Sequence, residues 1–101
     1  MAIQTIPLRP VAAQEFNVVL NKQPCTLKLY QKSAGLFMDV ALSGVSIIIG
    51  VLCRDRSRIV RGTHLGLAGD MYFVDTEGTQ DPYYTGLGSR FVLMYEEASN
   101  G

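Results

Sequence analysis

The strongest constraint on this chain is an alternation of apolar and polar residues with a period of two, broken at short intervals by turn-forming residues, through its first half. In extended backbone successive side chains point to opposite faces, so the pattern predicts hairpin-connected strands with one dry and one wet face. Phe16, Val18 and Leu20 alternate with Glu15 and Asn17 until Asn21, Lys22, Gln23 and Pro24 interrupt the run. Leu27 and Leu29 alternate with Thr26, Lys28 and Tyr30 up to a second break at 32–35, where Gly35 is free to take a positive φ. Leu36, Met38, Val40 and Leu42 share a face opposite Phe37, Asp39 and Ala41, and Ser43 with Gly44 forms a tight hairpin into Val45.

The following stretch, VSIIIGVLC, is apolar on both sides: Val45, Ile47, Ile49 and Val51 on one, Ile48 and Leu52 beside Ser46 and Gly50 on the other. Wetting such surface costs roughly 25 cal/mol per Å², so this strand is expected to lie between two covered faces or to offer its second face to a partner subunit. Beyond it, Ile59–Val60, Met71–Val74 and Phe91–Tyr95 read as three further short strands. Between them lie Gly-rich connections at 62–70 and 76–89, the second longer than the usual run of about two to six residues. No window shows the apolar spacing of an amphipathic helix, and at most one helical turn fits, near Val11–Gln14. The ends, 1–12 and 97–101, read as loosely held in isolation. The expected architecture is one domain spanning 1–101, a small antiparallel barrel or sandwich of about six to eight strands joined by hairpins, with little or no helix.

Composition narrows the partners. Nine basic and nine acidic residues cancel, so there is no bulk pull toward a nucleic-acid backbone or an anionic membrane. Charged residues make up 18% of the chain, below the roughly 25% usual for soluble domains, while 48% is apolar. A neutral, sparsely charged surface favours association, which points to a subunit of something larger. Cys25 and Cys53 have no CxxC spacing and the first residues lack the regions of a secretion signal, as expected for a chain made in a reducing cytoplasm. The longest apolar run is far short of the roughly 20 residues a membrane helix needs.

Catalytic constellations are absent from the pattern. A lone His64 and two scattered cysteines have no metal-ligand spacing, and both cysteines sit in or beside apolar strands, where Cys acts as a small buried hydrophobe rather than a nucleophile. No cofactor or metal is expected. Asp70, Asp75, Glu77 and Asp81 resemble a calcium loop only faintly: Gly78 falls at the fourth place and no helices flank it, so a solvated or ion-paired loop is the plainer reading. Gly86 and Gly88 lack the third glycine and the following helix of a dinucleotide fingerprint, and read as a bulge or turn presenting Leu87. Gly78 and Pro82 mark further turns.

Arg54, Arg56 and Arg58 recur at every second position and would form a basic stripe in an extended strand. Such a stripe would serve a single-strand nucleic-acid-binding barrel, although no platform of adjacent exposed aromatics is evident beside it. The alternative is pairing with the acidic 70–81 segment, within the chain or across to a neighbour. A small-ligand-binding barrel is the third reading of the architecture.

At GVLCRDR (50–56), LGLAGDMYFVDTEG (65–78) and DPYYTGLGSRFVLMY (81–95) the chain resembles the small baseplate plug proteins of contractile-tailed bacteriophages, the cyanophage baseplate plug-like family. The likeness extends to IPL (6–8), FNVVLN (16–21) and CTLKLYQ (25–31). It implies a non-enzymatic virion component at the centre of the tail baseplate, assembled in the host cytoplasm. Its implied partners are the tail hub and spike, with the tail tube or tape-measure end as further neighbours, and neither nucleic acid nor membrane. Such a plug would close the tube end until contraction. Tyr72, Tyr83, Tyr84 and Leu87 are the expected interface anchors, with Arg54, Arg56, Arg58 and Asp81 around them, since large amphipathic side chains on rigid turns carry most interface energy.

Overall fold

The computed structural model describes residues 3–61 and 69–97. Among these residues seven strands run in chain order: β1 (Ile3–Ile6), β2 (Ala13–Leu20), β3 (Gln23–Lys32), β4 (Gly35–Leu42), β5 (Val45–Leu52), β6 (Asp70–Asp75) and β7 (Phe91–Glu96). They form two antiparallel sheets, β2-β3-β4-β5 and β1-β7-β6, packed as a sandwich rather than closed into a barrel.

The larger sheet follows from its turns. Asn21 and Lys22 take φ of 50° and 64°, and Ser43 and Gly44 take 50° and 83°, the left-handed pairs whose twist matches that of the flanking strands. The first break is shorter than expected: Gln23 and Pro24 already belong to β3, opposite Leu20 and Val19. Proline is tolerated there because Pro24 lies one residue before the β3–β4 ladder, which begins at Cys25 opposite Leu42, and its carbonyl still accepts the Ser43 N–H (2.8 Å), so only the one reciprocal bond at the end of the ladder is forgone. The alternation then sends Leu20, Leu27, Leu29, Leu36, Met38 and Val40 inward. Ile6, Met71, Phe73, Leu93 and Tyr95 of the smaller sheet complete a single apolar core.

Four expectations are corrected. Ile3–Ile6 forms β1 along β7, with Ile6 buried, in a segment whose sequence showed no strand. Ile59 and Val60 are buried but not in a strand; they lie on a segment, 55–61, that tracks the outer edge of β6. There the Arg56 N–H donates to the Phe73 carbonyl (2.7 Å) and the Ile59 N–H to the Met71 carbonyl (3.0 Å), while Asp70 accepts the Val60 and Arg61 amides (2.8 Å each). Among the described residues the helical turn is a 3-10 turn at Tyr84–Gly86, whereas Val11–Gln14 enters β2. Finally, β5 does not have two regular faces. Its register against β4 shifts on both sides of Val40, and Asp39 Oδ1 accepts the Gly50 N–H (2.7 Å) with Gly50 at φ 69°. The bulges turn Ile47, Ile48 and Val51 toward the core and leave Val45 and Ile49 exposed.

Candidate functional site

The long 76–90 connection is rigid because of one charged residue in an apolar register. Along β6 the inward positions are Met71, Phe73 and Asp75, and the Asp75 carboxylate is buried. It is fully partnered: Arg90 Nε and Nη2 donate to Oδ1 and Oδ2 (2.8 and 2.9 Å), and the Glu77 and Gln80 amides donate to the same two oxygens (2.9 and 2.8 Å). The Arg90 guanidinium beside it, aided by these amides, holds the Asp75 carboxyl well below the usual carboxylate range, against an opposing push from burial. The Thr76 N–H and hydroxyl both donate to the Arg90 carbonyl (2.8 Å each), which ties the start of the loop to its end.

The far end of the loop is packed. Leu87 is 1% exposed and belongs to the core, so its expected role as a surface anchor is corrected: the tight turn, whose backbone bridges to Phe91, points its side chain inward rather than outward. Gly86 is required by packing, since a Cβ there would meet the Phe91 ring at 2.7 Å. Gly88, at φ 83°, is required by conformation and by the Leu8 carbonyl beside it. Gly78 is different: a Cβ would sit in ordinary contact with Asp75 and Arg90, so its turn does not demand glycine. Pro82 is buried.

What this loop displays is a ridge of aromatic and charged groups. Tyr83 is exposed and its ring lies 4.9 Å from that of Tyr84, whose amide donates to Gln31 Oε1 at the end of β3 (3.2 Å). Next to them Asp81 accepts the Asp55 N–H (3.0 Å) and faces Arg54 Nη1 at 4.0 Å, while Arg56 Nη1 donates to the Gly78 carbonyl (3.2 Å). The structure thus gathers Tyr83, Tyr84, Asp81, Arg54 and Arg56 around one loop. Tyr72 and Arg58 are elsewhere, on the outer face of the smaller sheet, with the Arg58 guanidinium 4.8 Å from the Tyr72 ring centre and 2.6 Å from Glu96.

The basic stripe does not exist. Residues 53–58 are not a strand, and Arg56 takes a left-handed φ of 58°, so the three arginines diverge and each meets a carboxylate: Asp81, Asp55 and Glu96. An adjacent aromatic pair is nevertheless present on the outer face of the larger sheet, where Tyr30 stacks beside Phe37 (6.0 Å, 15°). Cross-strand register unites residues distant in sequence, and Lys32 and Lys28 lie over these rings. An apolar hollow of about 480 Å³ opens beside Val19, Pro24, Ser43 and Gly44, a surface depression rather than the lumen a ligand-binding barrel would offer.

His64 lies outside the described residues. Among the described residues no three His, Cys, Asp or Glu side chains converge to hold a metal, and no helix is long and apolar enough to cross a membrane. Both thiols are buried and uncharged; burial pushes Cys53 up to about 12 and raises Cys25 as well. Sequence reasoning placed Asp75 only in a solvated or ion-paired acidic loop and did not pair it with Arg90, although an acidic residue in phase with Met71 and Phe73 was a readable sign of a buried ion pair.

The fold and this face define a small β-sandwich whose distinctive surface is a rigid tyrosine and arginine ridge. A family model described as the cyanophage baseplate Pam3 plug gp18 matches residues 3–98, and the chain belongs to that family of bacteriophage baseplate plug proteins. No curated protein matches it. It is accordingly a structural component of the tail baseplate that associates with other baseplate proteins.

Proposed function

We propose that this chain closes the distal end of the tail tube until contraction, held at the centre of the baseplate by the tail hub and spike through the Tyr83–Tyr84 ridge. The observation that carries this reading is the way the 76–90 loop is built. A bidentate ion pair that joins the two ends of the loop and a buried leucine within it hold Tyr83 half exposed on a frame that loses little entropy on docking. Aromatic anchors with flanking arginines are the groups that dominate interface energies. Arg54 and Asp81, only 4.0 Å apart and both largely exposed, form a weak internal pair that a partner's charges could exchange with at small cost. No catalytic step is assigned to the face.

Co-expression with the tail hub and spike proteins tests the reading. The wild-type chain is expected to co-purify with them, and Tyr83→Ala combined with Arg54→Glu to be lost from the complex while remaining folded. A folded wild-type chain that neither protein retains would sink the proposal.

A further inference from the structure

Four strands border open sheet edges: β2 and β5 in the larger sheet, β1 and β6 in the smaller. Exposed edges present unpaired amides and carbonyls that invite another strand, and folded proteins blunt them. Three of the four are blunted here. The β6 edge is hydrogen-bonded by the 55–61 segment, β5 is interrupted by two register shifts, and β1 has only four residues. β2 is eight residues long, pairs with β3 without a shift, and contains neither proline nor lysine.

Its free groups follow from register. The Gln31 N–H donates to the Ala12 carbonyl, and the two-residue turn closes on Leu20 opposite Gln23. Even-numbered residues of β2 therefore bond β3, while Ala13, Glu15, Asn17 and Val19 direct their backbone groups outward. Among the described residues no other segment bonds them.

We propose that this edge pairs with a second copy of itself, antiparallel about a twofold axis at Asn17, joining two four-stranded sheets into one. Charge and shape favour the register. With Asn17 opposite Asn17 of the partner subunit, Glu15 faces Val19 of the partner subunit, and the half-buried Phe16 packs on Val18 of the partner subunit. Centring the pair on Glu15 would oppose like charges, which destabilises cross-strand pairs. Slipping by one residue would mismatch every outward amide and invert the faces. Val19, 63% exposed in the single chain, becomes covered. The absence of net charge removes long-range repulsion between copies.

Light scattering and two variants test the pairing on the full chain. Wild type is expected to be a dimer at micromolar concentration. Val19→Pro deletes an outward N–H that β3 does not use, and should give a monomer with unchanged circular dichroism. Asn17→Cys should form an intermolecular disulfide on mild oxidation, because an H-bonded antiparallel pair sets Cα atoms about 5.5 Å apart, within disulfide reach. Val45→Cys, on the bulged edge, should not crosslink. A monomeric wild type, a dimeric Val19→Pro variant, or an Asn17→Cys variant that stays reduced would each overturn the proposal. A monomeric wild type whose Val19→Pro variant is lost from baseplates would assign the edge to a different protein, and so overturn it too. A dimer that the hub and spike ignore would instead sink the plug reading and leave the self-pairing standing.

Discussion

Arg90 grips Asp75 through two parallel hydrogen bonds of 2.8 and 2.9 Å, and the carboxylate it holds is the one charged group set among the inward-facing residues of β6. The pair joins the two ends of the 76–90 loop, so the ridge carrying Tyr83 depends on a contact that no partner would touch.

That contact makes stability dependent on acid. The folded-state pKa of Asp75 is depressed, so the folded chain binds fewer protons than the unfolded one near the unfolded value of about 3.9. The stabilisation is therefore full above that value and is lost as pH falls through it toward the folded-state value. Thermal unfolding measured from pH 6 downward should show the midpoint dropping below about pH 4. Asp75→Asn should lower the midpoint at neutral pH and flatten this acid limb; an unchanged limb would show that other carboxylates govern it.

Leu87 and Tyr83 sit four residues apart and should behave oppositely. Leu87→Ala removes a core side chain and is expected to cost about 2–5 kcal/mol in urea unfolding. Tyr83→Ala removes a half-exposed ring and should change stability by less than about 1 kcal/mol while weakening incorporation into the baseplate. Equal stability losses for the two would mean that Tyr83 is structural.

The contrast marks where the sequence was legible. Strands β2 to β5 were readable because local alternation and left-handed turn pairs set them. The inward position of Leu87 was not, because the two glycines flanking it look like a display turn, and only packing of Phe91 on Gly86 and of Gly88 against Leu8 decides its direction. The arginine stripe failed for a similar reason. Its spacing fits a strand, but tertiary hydrogen bonds from Arg56 and Ile59 to β6 place the backbone in a different path. β1 stayed hidden because four residues are too few to show a period, and its pairing with β7 spans nearly the whole chain.

The glycines of the same loop are separable. Gly88→Ala must adopt a left-handed φ and move the Leu8 carbonyl, and is expected to cost at least about 1–2 kcal/mol. Gly88→Val should abolish folding or baseplate binding. Gly78→Ala meets only ordinary contacts and should be within about 0.5 kcal/mol of wild type in denaturant unfolding. A Gly78→Ala loss as large as that of Gly88→Ala would show that the 76–80 bend requires glycine for reasons beyond space.

The two thiols provide a last check on the core. Burial raises the Cys53 pKa to about 12 and raises that of Cys25, so neither offers an appreciable thiolate at neutral pH, and neither is exposed to reagent. Iodoacetamide should leave the native chain unmodified over a period in which the denatured chain takes up two equivalents. The same shift has a stability consequence of opposite sign to that of Asp75. A thiol whose folded-state pKa is raised keeps its proton in the fold after the unfolded chain has released it near pH 8.5, so the stabilisation is full below that pH and declines as pH rises toward about 12. Cys53→Ala should flatten this alkaline limb, read from unfolding midpoints between about pH 8 and 11. Rapid native alkylation of Cys53, or an alkaline limb indifferent to its removal, would mean that β5 opens readily from the core.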